Sequence, residues 1–229
     1  MLEELKELVC RQNKALAENG LVLWTSGNVS ARDKATNYVV IKPSGVLFSE
    51  LTPDSMVVVD MDGNKIEGEL NASVDTKSHL YVYRHRPDIN GIVHTHSPYA
   101  TSFAIRGEPI EIYTTTAAAV FGGRIPVSDF ATIGEEEIGK EIVEKIGERE
   151  AILIRNHGVF TIGKDSQKAL KNAIVLEETA QYVHYAMCRG NLTPLSDETV
   201  KRDMKFITAH MARILKIRNN SLALYGLGL

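Results

Sequence analysis

The chain has 229 residues, enough to bury a full core in one large domain or two small ones. Hydrophobic residues make up 44% and charged residues 24%, and the formal net charge is −3, so the basic excess expected of nucleic-acid or membrane-surface binders is absent. Two distant cysteines, Cys10 and Cys188, an acidic amphipathic N-terminus and no apolar run near the roughly 18 residues of a membrane helix argue against a disulfide framework, a signal peptide and a membrane span, and fit a reducing cytoplasm.

Leu2, Leu5, Leu8, Val9, Gln12 and Leu16 recur at helical spacing, and Asn19-Gly20 stops that helix. Leu21 to Trp24 reads as a buried strand, with Trp24 as a core anchor, running into a loop of small polar residues from Thr25 to Ser30. Tyr38–Ile41 and Met56–Asp60 are further strands, and Asp62-Gly63 turns the second of them into Lys65-Ile-Glu67. Short connections between successive strands favour antiparallel pairing. Ser73 is placed to cap a helix running to about Arg86, with Leu80 and Tyr83 buried. The turn cluster Pro87 to Gly91 leads into a strand through Ile92 and Val93, and Pro98 opens a short helix to Arg106. Glu111 to Thr116 is β-rich, Ala117 to Gly123 is small and flexible, Arg124 to Val127 is extended, and Glu135 to Ile146 is helical. Ala151–Ile154 and Gly158–Ile162 form a hairpin about Asn156-His157-Gly158. Helices from about Ser166 to Met187 and from about Asp197 to Ile217 precede an apolar, irregular tail from Asn219 to Leu229. No repeat or linker interrupts the mixture. The pattern predicts one α/β domain over residues 1–229, a mostly antiparallel central sheet with helices on both faces.

The chemistry-bearing residues centre on His94-Thr95-His96. Residues i and i+2 of a strand share a face, so the two imidazoles project side by side near the strand's C-terminal end and could share one metal ion. A bare His-x-His more often describes one core and one surface histidine. A metal needs a third ligand, for which His157 at the end of its strand is the candidate, and turn chemistry alone is the plainer alternative. Asp75 is a candidate carboxylate, or simply a residue favourable to a helix N-terminus. Three imidazoles with an open position suit zinc as a Lewis acid, and manganese or cobalt are tolerated by the same donors. Gly27-Asn28, Lys42-Pro43-Ser44-Gly45 and Ser73 are short donor-rich segments able to surround a phosphate, though each alone is an ordinary turn. His79, His85 and His184 lack a motif and read as surface or packing residues. The stripe Leu170, Ile174, Glu177/Glu178 and Gln181 reads as core and solvated face.

Taken together and in order, Gly27-Asn-Val-Ser30, Lys42-Pro-Ser-Gly45, Ser73-x-Asp75-Thr-x-x-His79, His94-x-His96 and Asn156-His157-Gly158 resemble the class II aldolase/adducin family over nearly the whole chain. The resemblance implies a zinc ion (Zn2+, with Mn2+ or Co2+ possible) held by His94, His96 and His157, with Asp75 as fourth ligand or close neighbour. It also implies a phosphorylated ketose whose phosphate is bound by Asn28, Lys42, Ser44, Gly45 and Ser73. The implied chemistry is a retro-aldol step through an enediolate, in a homotetramer whose sites are completed by a neighbouring subunit's C-terminal region. Within such a site Asp75, His210 and Tyr225 would serve as catalytic residues.

Position 75 separates the family's branches. Aldolases similar to this chain carry glutamate there, whereas Asp75-Thr76 is epimerase-like. The expected reaction is therefore 4-epimerisation of a pentulose 5-phosphate, L-ribulose 5-phosphate. The alternatives are an L-fuculose-1-phosphate-type aldolase giving dihydroxyacetone phosphate and an aldehyde, and a non-catalytic adducin-like interaction domain. The chain departs from the epimerases at Ala117-Ala-Ala119, where they carry His-Ala-Asp, and at Val74, the second serine of their phosphate loop. Its segment from Asp129 to Gly134 looks more like the aldolases.

Overall fold

Valine-rich triplets and five-residue runs such as Gly91-Ile-Val-His-Thr95 are too short to stand alone, and they gain stability by sharing one sheet. The computed structural model describes residues 2–207, 209 and 210. In chain order its elements are α1 (Glu3–Glu18), β1 (Asn28–Arg32), β2 (Val39–Ile41), β3 (Val57–Val59), β4 (Lys65–Glu67), α2 (Thr76–His85), β5 (Gly91–Thr95), α3 (Pro98–Arg106), α4 (Thr115–Phe121), α5 (Glu137–Lys145), β6 (Ala151–Ile154), β7 (Gly158–Gly163) and α6 (Ser166–Met187). A further helical stretch covers 197–207. The sheet runs β4-β3-β2-β1-β5-β7-β6, and every strand pairing in it is antiparallel.

Alternation along the strands divides the core into two faces. Ile92, Phe160, Ile162, Ile152 and Ile154 pack with Leu80, Tyr83, Ile138 and Ile142 under α2 and α5. Val93, Val29, Val40 and Val58 pack with Val9, Leu16, Ala169 and Ala173 under α1 and α6. Leu153 and Val159 continue that second face against Phe103, Ala117, Phe121, Leu176 and Ala180, from α3, α4 and α6. Helices thus cover both faces of an antiparallel sheet. Apart from the exposed edge strand β4, the sheet is buried on both sides, and a ligand can reach its central strands only at their ends.

Several local expectations need correcting. Leu21 to Trp24 is not a strand: Leu21 and Val22 are buried, but Leu23 and Trp24 are 80% and 79% exposed and Trp24 has φ 55°. Trp24 is therefore no core anchor. The ladder with β5 begins only at Asn28, inside the stretch expected to be a polar loop. Asn28 and Ser30 tolerate a strand because their side chains bond to residues of α2 and the segment before it instead of competing for their own backbone. Over 115–121 the β-rich reading of Glu111–Thr116 and the flexible reading of Ala117–Gly123 give way to α4. Thr114 caps it by accepting Ala117 N–H at 3.2 Å, its alanines are strong helix formers, and Gly122 ends it with φ 63°. Ser73 is not the cap of α2: the cap position is Asp75, whose carboxylate makes no capping bond and faces elsewhere.

Candidate functional site

The site grows from a match between helix and strand repeats. Four residues of α-helix rise about 6 Å and two residues of strand about 6.6 Å, so side chains at i, i+4, i+8 on α2 can meet i, i+2, i+4 on β1. Asp75, His79 and Tyr83 form that stripe. Asp75 Oδ2 accepts Asn28 Nδ2–H at 2.7 Å, His79 Nδ1 lies 2.7 Å from Ser30 Oγ, and Tyr83 Oη lies 2.8 Å from the same hydroxyl. The Arg32 guanidinium sits 5.3 Å from the Tyr83 ring centre. His79 is fully buried, not a surface residue, and burial pushes it down to about 4 against the opposing charge of Asp75. The stripe delivers Asp75, itself buried, to the end of the sheet where β5 carries His94.

Register places Asn28, His94 and Phe160 abreast on β1, β5 and β7. His94 stacks on Phe160 at 4.3 Å and 18°, and its Nδ1 lies 3.0 Å from the Val159 carbonyl. A carbonyl only accepts, so Nδ1 carries the proton and Nε2 keeps its lone pair. His96 follows the last pair of β5 and brings its Nε2 to 3.1 Å from that Nε2. His157 comes from the three-residue β6–β7 loop, in which Asn156 adopts the left-handed region at φ 59° and His157 N–H donates to Ile154 O at 3.0 Å. Asparagine is among the few side-chain-bearing residues that visit that region readily. One ligand atom from each of His94, His96 and His157 falls within 4.8 Å of the others.

These residues fit a divalent ion. Burial lowers all three imidazole pKa values, His94 to about 3, with Asp75 opposing the shift at each. The rings are thus neutral at pH 7, the form a metal requires. His157 Nδ1 is buried with no hydrogen-bond partner among the described residues. The chain also makes room for the cluster: a Cβ on Gly158 would lie 2.5 Å from Thr95 O and 2.7 Å from His96 Cδ2. Gly158→Ala should therefore displace His96 and cut metal content well below half of the parent's, as read by elemental analysis; parent-like occupancy in a folded variant would contradict it.

Burial alone would push the Asp75 carboxyl up, but His94, His79, the Asn28 amide and His157 together hold it below its ordinary value. Ser73 Oγ adds a contact to the same oxygen at 3.2 Å. Asn28 Nδ2–H also donates to Ser73 Oγ at 3.0 Å, so its amide is turned onto the Asp75–Ser73 pair. The two loops expected to hold a phosphate are tied together by Ser44 N–H to Asn71 O at 2.9 Å and Ser73 N–H to Lys42 O at 3.1 Å. Lys42 is buried, donates to Thr25 O and Pro43 O at 3.1 and 3.2 Å, and lies 4.9 Å from the Phe48 ring centre. Burial pushes it down to about 8, and the Asp75 charge opposes that shift. A single cleft of about 270 Å³ is lined by Lys42, Ser44, Gly45, Ser73, Asp75, His94, His96 and His157.

Asn28 lies behind this cleft rather than in its lining. His210 is exposed, its ring over Phe206 at 6.2 Å, and is not part of the cleft in this chain; Tyr225 and the apolar tail lie outside the described residues. Sequence reasoning missed Thr25, Ile133 and Gly158. The first two line the cleft, and Gly158 sits against the cluster. Gly158 alone had a signal, its place after His157.

The profile of the class II aldolase and adducin N-terminal domain matches residues 7–184. The chain belongs to that family. L-ribulose-5-phosphate 4-epimerase UlaF of Salmonella paratyphi A and its Salmonella typhi counterpart are each 43% identical to it over 210 residues, 86% of this chain and 91% of theirs. A solved L-fuculose 1-phosphate aldolase superposes with a TM-score of 0.83 at 30% identity, covering 90% of this chain and 96% of that one. The L-fuculose-1-phosphate aldolase of Thermus thermophilus gives 0.70 at 29% identity, over 84% of this chain and 98% of its own. Among class II aldolase family members, these relatives are sugar-phosphate epimerases and aldolases, and this chain shares their fold and enzymatic class. No helix among the described residues is long and apolar enough to cross a membrane.

Proposed function

We propose that this class II aldolase family member catalyses 4-epimerisation of a pentulose 5-phosphate, L-ribulose 5-phosphate, with a divalent ion held by His94, His96 and His157. The observation that carries the reading is the shared cleft, in which three neutral imidazoles face the Lys42–Gly45 and Ser73 loops. Zinc suits three nitrogen donors with an open position, and manganese or cobalt would bind the same set. When bound, the ion supplies Lewis-acid stabilisation of negative charge on the ketose oxygens. The chain's own residues do the rest. Lys42, Ser44, Gly45 and Ser73 hold the phosphate, and Asn28 backs them by orienting Ser73 and Asp75. Asp75, kept ionised, completes the ion's surroundings as ligand or neighbour. His210 and Tyr225 of an adjoining subunit are the candidates for proton transfer.

The aldolase reading has its own support in the likeness to L-fuculose 1-phosphate aldolase and in Ala119, half-buried on α4, where an epimerase carboxylate is expected. The two are separated by incubating the protein with L-ribulose 5-phosphate and, separately, L-fuculose 1-phosphate. Conversion of the first to D-xylulose 5-phosphate without free aldehyde is the expected result. Dihydroxyacetone phosphate and lactaldehyde from the second, with no conversion of the first, would establish the aldolase.

We also infer a homotetramer with sites at subunit interfaces. Leu23, Trp24, Val74, Phe130 and Ile133 expose large apolar surfaces on the segments that bound the cleft, and such a collar is costly to leave in water. Another copy covering it forms a closed ring economically. Trp24→Asp should lower the sedimenting mass and cut turnover about tenfold or more through loss of the completed site. Parent-like assembly and turnover in that variant would count against the collar.

A further inference from the structure

The elbow between β5 and α3 carries His96, and the elbow lacks the usual local cap. Ser97 occupies the cap position of α3 without a side-chain capping bond; it is buried, and its Oγ instead receives the Thr95 hydroxyl at 3.3 Å. Pro98 at the first helical position has no N–H, so the exposed donors of this helix start are Tyr99 and Ala100, since Thr101 N–H already reaches Ser97 O at 2.9 Å. Both are taken by one distant side chain. Glu177, in the middle of α6, accepts Tyr99 N–H at 2.8 Å through Oε1 and Ala100 N–H at 2.9 Å through Oε2. A carboxylate spanning two N–H groups at a helix N-terminus is a charge-assisted bidentate contact aligned with the helix dipole.

The elbow needs such an anchor. The β5–β7 ladder ends with Thr95 opposite Val159, so His96 lies past the last strand pairing. Its side chain is the most exposed of the three, whereas His94 is buried and stacked on Phe160. His94 is therefore held by packing, while the place of His96 is set by where the chain goes next. We propose that Glu177 is a positioning residue for the metal centre, capping α3 across the fold and so fixing the elbow that presents His96. The proposal rests on the metal site described above.

The test uses full-length protein stripped of metal and titrated with Co2+ alone, reading the dissociation constant and the visible absorption of bound cobalt beside the melting temperature of the metal-free chain. Glu177→Ala should weaken cobalt binding about 10- to 100-fold, the range seen when an outer-shell support is lost, and change the absorption band. Glu177→Gln keeps one acceptor and should fall between Glu177→Ala and the parent. It also keeps the experiment decisive if the alanine variant does not fold. Asp165→Ala removes the side-chain cap of α6, in which Asp165 accepts Lys168 N–H at 2.7 Å beside Gly91 and Gly163 at the opposite end of the β5–β7 ladder from His96, and should lower melting while leaving the cobalt constant and spectrum unchanged. The proposal is overturned if folded Glu177 variants melt lower, as Asp165→Ala does, yet bind cobalt within about twofold of the parent with the same spectrum. A parent chain that takes up no cobalt overturns the metal site itself, and the proposal with it.

Discussion

A chain carrying His96→Asn loses its divalent ion and roughly a thousandfold or more in turnover, because Lewis-acid stabilisation is worth several kcal/mol and each 1.4 kcal/mol is about tenfold. His96 is the ligand of choice for this test. It lies outside the ladder and is the most exposed of the three, so its loss spares the core. Replacing His94 would instead remove a fully buried ring stacked on Phe160 and bonded to Val159, confusing metal loss with a destabilised sheet. His96→Asn leaves two imidazoles beside the Asp75 carboxylate, a set one strong nitrogen donor short of the proposed site, so the ion is held far more weakly. Elemental analysis of the purified variant, beside a melting curve close to the parent's, gives the result. Full metal content with parent-like turnover would sink the three-histidine site.

How much of this was legible in sequence follows from the range of the forces involved. The β6–β7 hairpin, α3 and α6 are legible to within about a residue because their signals are local: Asn156-His157-Gly158 for the turn, Pro98 for a helix start, an unbroken periodic run from Ser166 to Met187. The same locality made His94 and His96 neighbours on paper. What sequence could not rank was Leu21–Trp24 against Asn28–Arg32. The first is more apolar, yet the second became the strand, since strand choice was settled by partners on β5 and α2 tens of residues away. The plainer alternative for Asp75, a residue favouring the helix N-terminus, falls for a related reason. A carboxylate beside a helix start usually bonds the nearest N–H, and here Asn28, 47 residues earlier, offers a stronger, buried donor.

The polar stripe on α2 and the cap from Glu177 share a design that sequence inspection misses by its nature. Each side chain sits in an ordinary helical context, where a charged or polar residue reads as a solvated face. Only register decides otherwise. His79 and Glu177 become structural to the site because one meets Ser30 across β1 and the other meets Tyr99 and Ala100 at the start of α3.

Lys42 should separate binding from stability most cleanly. Its ammonium is buried beside the cleft with two carbonyl partners and no carboxylate in direct contact among its hydrogen bonds. That is a poor environment for a charge in a folded chain and a good one for meeting a phosphate dianion. Losing a charge-assisted hydrogen bond of about 1.5–3 kcal/mol predicts that Lys42→Met lowers kcat/KM for the sugar phosphate about 10- to 100-fold, mostly through KM. Stability should move the other way. The folded pKa of about 8 lies below the roughly 10.4 of an unfolded lysine, so between those values the unfolded chain binds the extra proton and stability rises with pH. Below about pH 8 the folded chain carries the full burden of the buried charge, so Lys42→Met should melt no lower than the parent there, and its stability should lose that rise at alkaline pH. Catalysis has the opposite sign: kcat/KM of the parent should fall as pH rises through about 8, where the free enzyme's ammonium is lost. Lys42→Arg, always charged, should flatten that fall even if its geometry lowers the plateau. An unphosphorylated ketose should be blind to all three changes. A parent profile flat from pH 7 to about 9.5, or equal turnover of phosphorylated and unphosphorylated ketose, would remove Lys42 from the phosphate site.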